Sequence, residues 1–114
     1  ARRCRPQYPA LPRSRPRVRV IIVNYRTPDL TIECLASLER ERETLADPIE
    51  VVVVENRSED GSEEKIRAAI KARFSAFASL ITSPENGGFA YGNNVGIRPA
   101  LESDSPPDYF LLLN

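Results

Sequence analysis

The chain has 114 residues, with 16 Lys and Arg against 16 Asp and Glu, 41% hydrophobic residues, no histidine and two cysteines. That length holds one domain or part of a larger one, with enough apolar residues for a core. No run approaches the ~20 apolar residues of a membrane-spanning helix, and the lack of histidine excludes Cys/His zinc sites and histidine-based triads within the chain. The neutral total hides an uneven split: residues 1–19 carry seven arginines and no acid, which leaves the remainder strongly acidic. An acidic body argues against a nucleic-acid groove. Cys4 and Cys34 form neither a disulfide framework nor a metal-ligand pattern.

Residues 1–17 carry Pro6, Pro9, Pro12 and Pro16 among the arginines. This composition predicts a disordered leader, because the prolines prevent a helix and there is little apolar surface to bury. A second reading is a basic arm touching anionic lipid headgroups. Folding is expected to begin at Val18. Val18, Val20, Ile21, Ile22 and Val23 predict a strand ending at Asn24-Tyr25. Thr27, Pro28 and Asp29 then read as N-cap, first-turn proline and first-turn acid of a helix with Leu30, Cys34, Leu35 and Leu38 on its apolar face. Asp47-Pro48 ends that pattern. Ile49 to Val54 predicts a second strand, and its four consecutive valines predict burial on both faces, as in a parallel sheet. After the polar turn Asn56–Gly61, a helix capped by Asp60 or Ser62 should turn Ile66, Ala69, Ile70, Arg73 and Phe74 to one side. Leu80–Thr82 is a short third strand, Phe89–Leu101 a third helix strained by Pro99, and Tyr109–Leu113 a fourth strand. The order β-α-β-α-β-α-β with short connections predicts an α/β fold with a Rossmann-like, doubly wound parallel sheet.

Ligands of such sheets bind beyond the carboxyl ends of the strands. The residues there are Asn24, Tyr25 and Arg26; Glu55, Asn56, Arg57 and Ser58; Ser83, Glu85, Asn86, Gly87 and Gly88; and Asn114. Together they offer an aromatic face, a carboxylate, several amides and a glycine turn opening a helix. That set suits a nucleotide, with Tyr25 stacking on a base and Glu55 accepting from a ring N–H; ordinary packing at a strand end for Tyr25 and a solvated strand-end carboxylate for Glu55 are the plain alternatives. Gly88, Gly92 and Gly96 lie four apart and should share one helix face, for close packing on the sheet or for a ligand. Asn93 and Asn94 carry amides within reach of a phosphate or sugar, and a helix N-terminus beside Gly87-Gly88 is an anion site. Asn56, Ser58 and Asp60 also read as ordinary turn residues, and Cys34 as core.

Four ordered segments carry a resemblance to a known family: Val20–Tyr25, Val53–Ser62, Pro84–Asn94 and Tyr109–Asn114. Over residues 18–114 the chain resembles the family 2 inverting glycosyltransferases, most closely a rhamnosyltransferase-like branch. The resemblance implies the N-terminal, nucleotide-sugar-binding half of a GT-A domain. It places Asn24, Tyr25, Glu55, Asn56, Ser58, Asn86, Gly87, Gly88, Phe89, Gly92, Asn93 and Asn94 around the donor nucleotide. Glu55 stands where the family usually has Asp. Asn114 would open a DxD-like metal motif, so the expectation is a chain cut one residue into that motif, inactive alone, with the general base in the missing part.

The activity implied is transfer of a hexosyl or rhamnosyl group, with inversion, from a UDP- or dTDP-sugar to the hydroxyl of a glycan or lipid-linked acceptor. Mg²⁺ or Mn²⁺ is implied as cofactor, and polysaccharide synthesis in the cytoplasm or at the inner face of the membrane as setting. Nucleic acid is not an expected partner. The competing reading is a non-catalytic nucleotide-binding or interaction module of the same fold. A dinucleotide enzyme is disfavoured, because Asn24–Pro28 replaces the G-x-G-x-x-G that would follow its first strand.

Overall fold

The computed structural model describes residues 16–44 and 49–113; the Arg-rich leader up to residue 15, the Asp47-Pro48 break and Asn114 lie outside the described residues. The elements are β1 (Val18–Asn24), α1 (Pro28–Thr44), β2 (Ile49–Glu55), α2 (Ser62–Ala69) running into a π-helical turn (Ile70–Phe74), β3 (Ala78–Thr82), α3 (Phe89–Leu101) and β4 (Tyr109–Leu113). The four strands form one sheet in the order β3-β2-β1-β4, with every neighbouring pair parallel. The chain therefore winds outward from β1 to β3 and returns to the other side of β1 for β4. The reversal point of an open parallel sheet is where a ligand crevice forms.

Alternation along the strands decides which helix each side chain meets. Val20, Ile22, Val51 and Val53 face α1 and α2, where they pack with Leu35, Ile66, Ile70, Phe74 and Phe77. Ile21, Val52 and Val54 face the opposite way, with Val95 and Ile97 of α3 packed against them. Both faces of β2 are covered, and Val51–Val54 are all buried, as a valine run in a parallel strand requires. Phe74 and Phe77 meet edge to face at 6.0 Å between ring centres.

α3 lies against the sheet because it presents hydrogen atoms instead of side chains. A Cβ on Gly92 would fall 2.9 Å from Val23 Cγ1, and one on Gly96 would fall 3.0 Å from Val54 Cγ2. Gly88 does not belong to that face. It precedes the helix with φ +92°, and a Cβ there meets nothing within 4 Å. Its glycine answers a backbone requirement.

Three other expectations need correction. Leu30 is 64% exposed; it sits in the first turn of α1, beyond the end of the sheet that would cover it. Arg73 lies outside the core, its guanidinium on Glu39 at 2.8 Å and over the Phe74 ring at 5.1 Å. The π turn widens the helix there and leaves only Ile70 and Phe74 inward. At the start of α2 the cap position is Gly61, with φ 90°, while Asp60 Oδ1 accepts from the backbone N–H and hydroxyl of Ser62. Those two bonds hold the Asp60 carboxyl below its ordinary range. Cys34 is partly buried against the α1/α2 core, and that burial pushes its thiol up.

β4 is tied to the start of β1 by Asp108, which accepts from Arg17 N at 2.8 Å and donates its own N–H to Arg17 O at 2.9 Å. No helix among the described residues is long and apolar enough to cross a membrane.

Candidate functional site

The carboxyl edge of the sheet gathers the residues expected there. Asn24 and Glu55 are the last residues of β1 and β2 and are paired in register. Both are buried, at 0% and 2% exposure, so each needs partners. Asn24 Nδ2 donates to Glu55 Oε1 at 3.2 Å, and Asn24 Oδ1 accepts from the hydroxyls of Thr31 at 2.8 Å and Thr27 at 3.4 Å. Ser58, also fully buried, donates its N–H to both Glu55 oxygens and its hydroxyl to Oε1. The same hydroxyl accepts from Arg26 N at 2.8 Å, and Ser58 O accepts from Arg26 Nε at 3.3 Å. Residues 24–27 and 55–58 are thus clasped into one unit. Ser58, which reads as an ordinary turn residue, is its centre.

Among the described residues, three non-glycine residues hold positive φ: Arg26 at 57°, Arg57 at 59° and Glu59 at 54°. All lie in the two loops of this edge. Each such conformation costs about 1–3 kcal/mol and persists only where its surroundings impose it. Here the clasp does so for Arg26. The result sends Tyr25 outward, 41% exposed, with the Arg26 guanidinium 5.0 Å from its ring centre.

Glu55 and Asn56 are consecutive, and they serve opposite sides of the edge. On the α2 side, a cleft of about 370 Å³ is bounded by Glu55, Arg57, Glu59, Gly61, Glu63, Glu64 and Thr82. Glu63 in its wall accepts from Thr82 at 2.8 Å and from Arg67 at 2.7 Å, which holds its carboxyl below the ordinary range. On the α3 side, beyond the ends of β1 and β2, a cleft of about 560 Å³ is bounded by Val23, Tyr25, Thr27, Leu30, Asn56, Asn86, Gly88 and Phe89. Asn56 Nδ2 donates to Asn86 Oδ1 at 3.0 Å and to Gly88 O at 3.4 Å. Asn86 Oδ1 also accepts from Gly88 N at 3.3 Å.

Of the other expected site residues, Gly87 and Phe89 are exposed at the same turn. Gly87 is glycine because a Cβ would fall 2.4 Å from the Tyr91 ring. Gly92 and Asn93 turn inward instead. Gly92 lies on Val23, and Asn93 donates to Phe89 O at 3.1 Å within its own helix. Only Asn94 of the amide pair is exposed. Asn114 lies outside the described residues.

Thr27, Leu30 and Thr82 complete the edge, and none of these three is an expected site residue; Arg26 and Arg57, expected after the first and second strands, lie there too. The two arginines had a visible signal: in an acidic body, each is the first cation after a strand end. Leu30 and Thr82 had none, since their place depends on how loops and helices meet. Among the described residues, no three His, Cys, Asp or Glu side chains are grouped to hold a metal ion.

No curated protein matches the chain in sequence. Among solved structures, it is similar to a mannosyltransferase from Pyrobaculum calidifontis in complex with GDP-Man and Mn²⁺, with 31% identity and a TM-score of 0.63. The match covers 76% of this chain and 25% of the other, so the chain spans about a quarter of that protein's length. The parallel α/β sheet is thus the N-terminal portion of a GT-A glycosyltransferase fold. The profile for Glycosyl transferase family 2 matches residues 19–113, from the first strand to the last. With that match running through both loops of the clasp and both clefts, the chain belongs to glycosyl transferase family 2.

Proposed function

We propose that this chain forms the donor-nucleotide part of an inverting glycosyltransferase. The observation that carries the reading is the carboxyl edge itself. One clasped unit sets an exposed aromatic ring, a buried carboxylate and two arginines beside the reversal of the sheet. Glu55 would accept from the base, since Oε2 takes only a bond shared from Ser58 N and keeps acceptor capacity. Tyr25 would stack on the base on the ring face away from Arg26. Arg26 and Arg57 supply the charge that a diphosphate needs, and Asn86, Gly88 and Phe89 line the sugar side. The chain's own residues bind and orient. The acceptor oxygen attacks the anomeric carbon as the bond to the diphosphate breaks, and its proton passes to a carboxylate in the rest of the protein.

A divalent cation, when bound, would stabilise the departing diphosphate. No three His, Cys, Asp or Glu side chains among the described residues group around such a cation, and what this part of the protein would bring to the donor is hydrogen bonds, stacking and arginine charge. At finer grain we infer hexosyl or rhamnosyl transfer from a UDP- or dTDP-sugar to a glycan or lipid-linked acceptor, in polysaccharide synthesis at the cytoplasmic side of a membrane. The Pyrobaculum mannosyltransferase holds GDP-Man, which makes guanine the competing base.

Calorimetric titration of the full-length protein with UDP, dTDP and GDP tests the reading, together with NMR of the product's anomeric centre. Micromolar binding of one diphosphate and inverted configuration are expected. Absence of binding to all three, or a retained configuration, would sink it. Binding without turnover would leave a nucleotide-binding module.

A further inference from the structure

Asn56 is 3% exposed and lines the cleft on the α3 side. Its hydrogen bonds fix which end of the amide is which. Gly88 N is a donor by nature and points to Asn86 Oδ1. That oxygen, and the carbonyl of Gly88, therefore face the nitrogen of Asn56. The Asn56 amide cannot be turned round without setting oxygen against oxygen. Its Oδ1 is left as a buried acceptor with no hydrogen-bond partner among the described residues. A buried acceptor without a donor is destabilising, and native structures rarely keep one without a reason.

The partner for that oxygen must bring an O–H or N–H. Phosphate offers no such donor at neutral pH. No carboxylate lines this cleft to share a cation with the amide oxygen. The walls are Tyr25, Leu30 and Phe89, apolar surfaces suited to the C–H face of a ring. A hydroxyl-bearing ring meets both demands. The charged acceptor, Glu55, lies in the other cleft, and Tyr25, the ring that would carry the base, borders this one, so the hydroxyl-bearing ring would sit beside the base.

We propose that Asn56 Oδ1 is the acceptor for a sugar hydroxyl of the donor, a role that rests on the donor-site reading above. Two hydroxyls share this chemistry, the nucleoside's ribose and the transferred sugar. The experiment is titration of the full-length wild type and Asn56→Ala with the bound nucleoside diphosphate, its 2′,3′-dideoxy analogue and the corresponding nucleotide sugar. If the partner is ribose, wild type prefers the ribo form by about five- to tenfold, and the variant loses that preference. If the partner is the transferred sugar, ribo and dideoxy forms bind alike, and the variant loses about five- to tenfold of the nucleotide sugar's extra affinity. Equal weakening of all three ligands, or no change in any, overturns the assignment. Should Asn56→Ala fail to fold, the side-chain carbonyl of Asn56 followed by ¹³C NMR in wild type decides. It must shift with the ribo form or the nucleotide sugar and stay in place with the dideoxy analogue; the same response to all three overturns the proposal. A flat wild-type titration with every diphosphate instead overturns the donor reading itself.

Discussion

The two faces of the sheet are built on opposite terms. On the α1/α2 face, large side chains interlock: Leu35, Ile66, Phe74 and Phe77 fill the space above Val20, Ile22, Val51 and Val53. On the α3 face, three buried residues suffice, because Gly92 and Gly96 bring the helix backbone down to Val23, Ile21 and Val54. The polar edge follows the same division. The α2 side has a locked carboxylate held by Asn24 and Ser58. The α3 side has the more apolar walls of Leu30 and Phe89 and an amide oxygen in reserve. Stability is concentrated on one face, and on the other it is exchanged for close approach of a helix to the sheet.

Truncation should expose that contrast most strongly. Phe74→Ala is expected to cost about 4 kcal/mol, because it empties a fully buried ring from the larger core. Chemical denaturation measures it; a loss under 1 kcal/mol would mean that the α1/α2 face does not carry the fold. Next comes the clasp. Glu55→Ala strands the donors of Asn24 and Ser58 and should cost about 3 kcal/mol. Glu55→Gln keeps the shape but swaps one acceptor for a donor, so it should fold better than the alanine variant yet bind nucleotide more weakly. Equal stability of Glu55→Ala and wild type would show the clasp to be decorative.

A smaller effect probes the α3 face. Gly92→Ala gains about 1 kcal/mol of helix propensity. The new Cβ collides with a stiff valine, however, an overpacking cost of about 2 kcal/mol. The net loss of about 1 kcal/mol should disappear in Gly92→Ala with Val23→Ala, and a strictly additive double variant would deny the contact. Smallest is an acid effect at Asp60 and Glu63. Both carboxyls sit below their ordinary values in the folded protein. Their stabilisation is therefore complete above the unfolded value and fades as pH falls through the lowered, folded one. In a denaturation series below pH 5, Glu63→Gln should show a shallower loss of stability than wild type. Parallel curves would assign the acid sensitivity elsewhere.

Much of this was legible along the chain. The β-branched run of β1, the four valines of β2 and the start of α1 at Pro28 announce themselves by local pattern and take the expected form, although the Thr27 hydroxyl turns to Asn24 instead of capping the helix. The same holds for the position of Tyr25, Glu55 and Asn86 at strand ends. What could not be read were choices made between distant residues. Leu30 has the spacing of a core residue and is exposed, because nothing of the sheet extends over it. Gly88 matches the spacing of Gly92 and Gly96 but serves the turn, since the helix starts one residue later.

The sequence by itself determined the order of elements, the parallel sheet and the set of groups at its carboxyl edge, because side-chain periodicity and turn chemistry act over a few residues. Only the tertiary structure decided how those groups divide. Asn24 finds Glu55, and Arg26 finds Ser58, across more than thirty residues. The alternation of side chains about the end of β2 then places Glu55 in one cleft and Asn56 in the other. Hydrogen-bond partners are chosen by proximity in space, and no local pattern in the chain encodes that the buried amides of Asn56 and Asn93 are each left with an oxygen to offer.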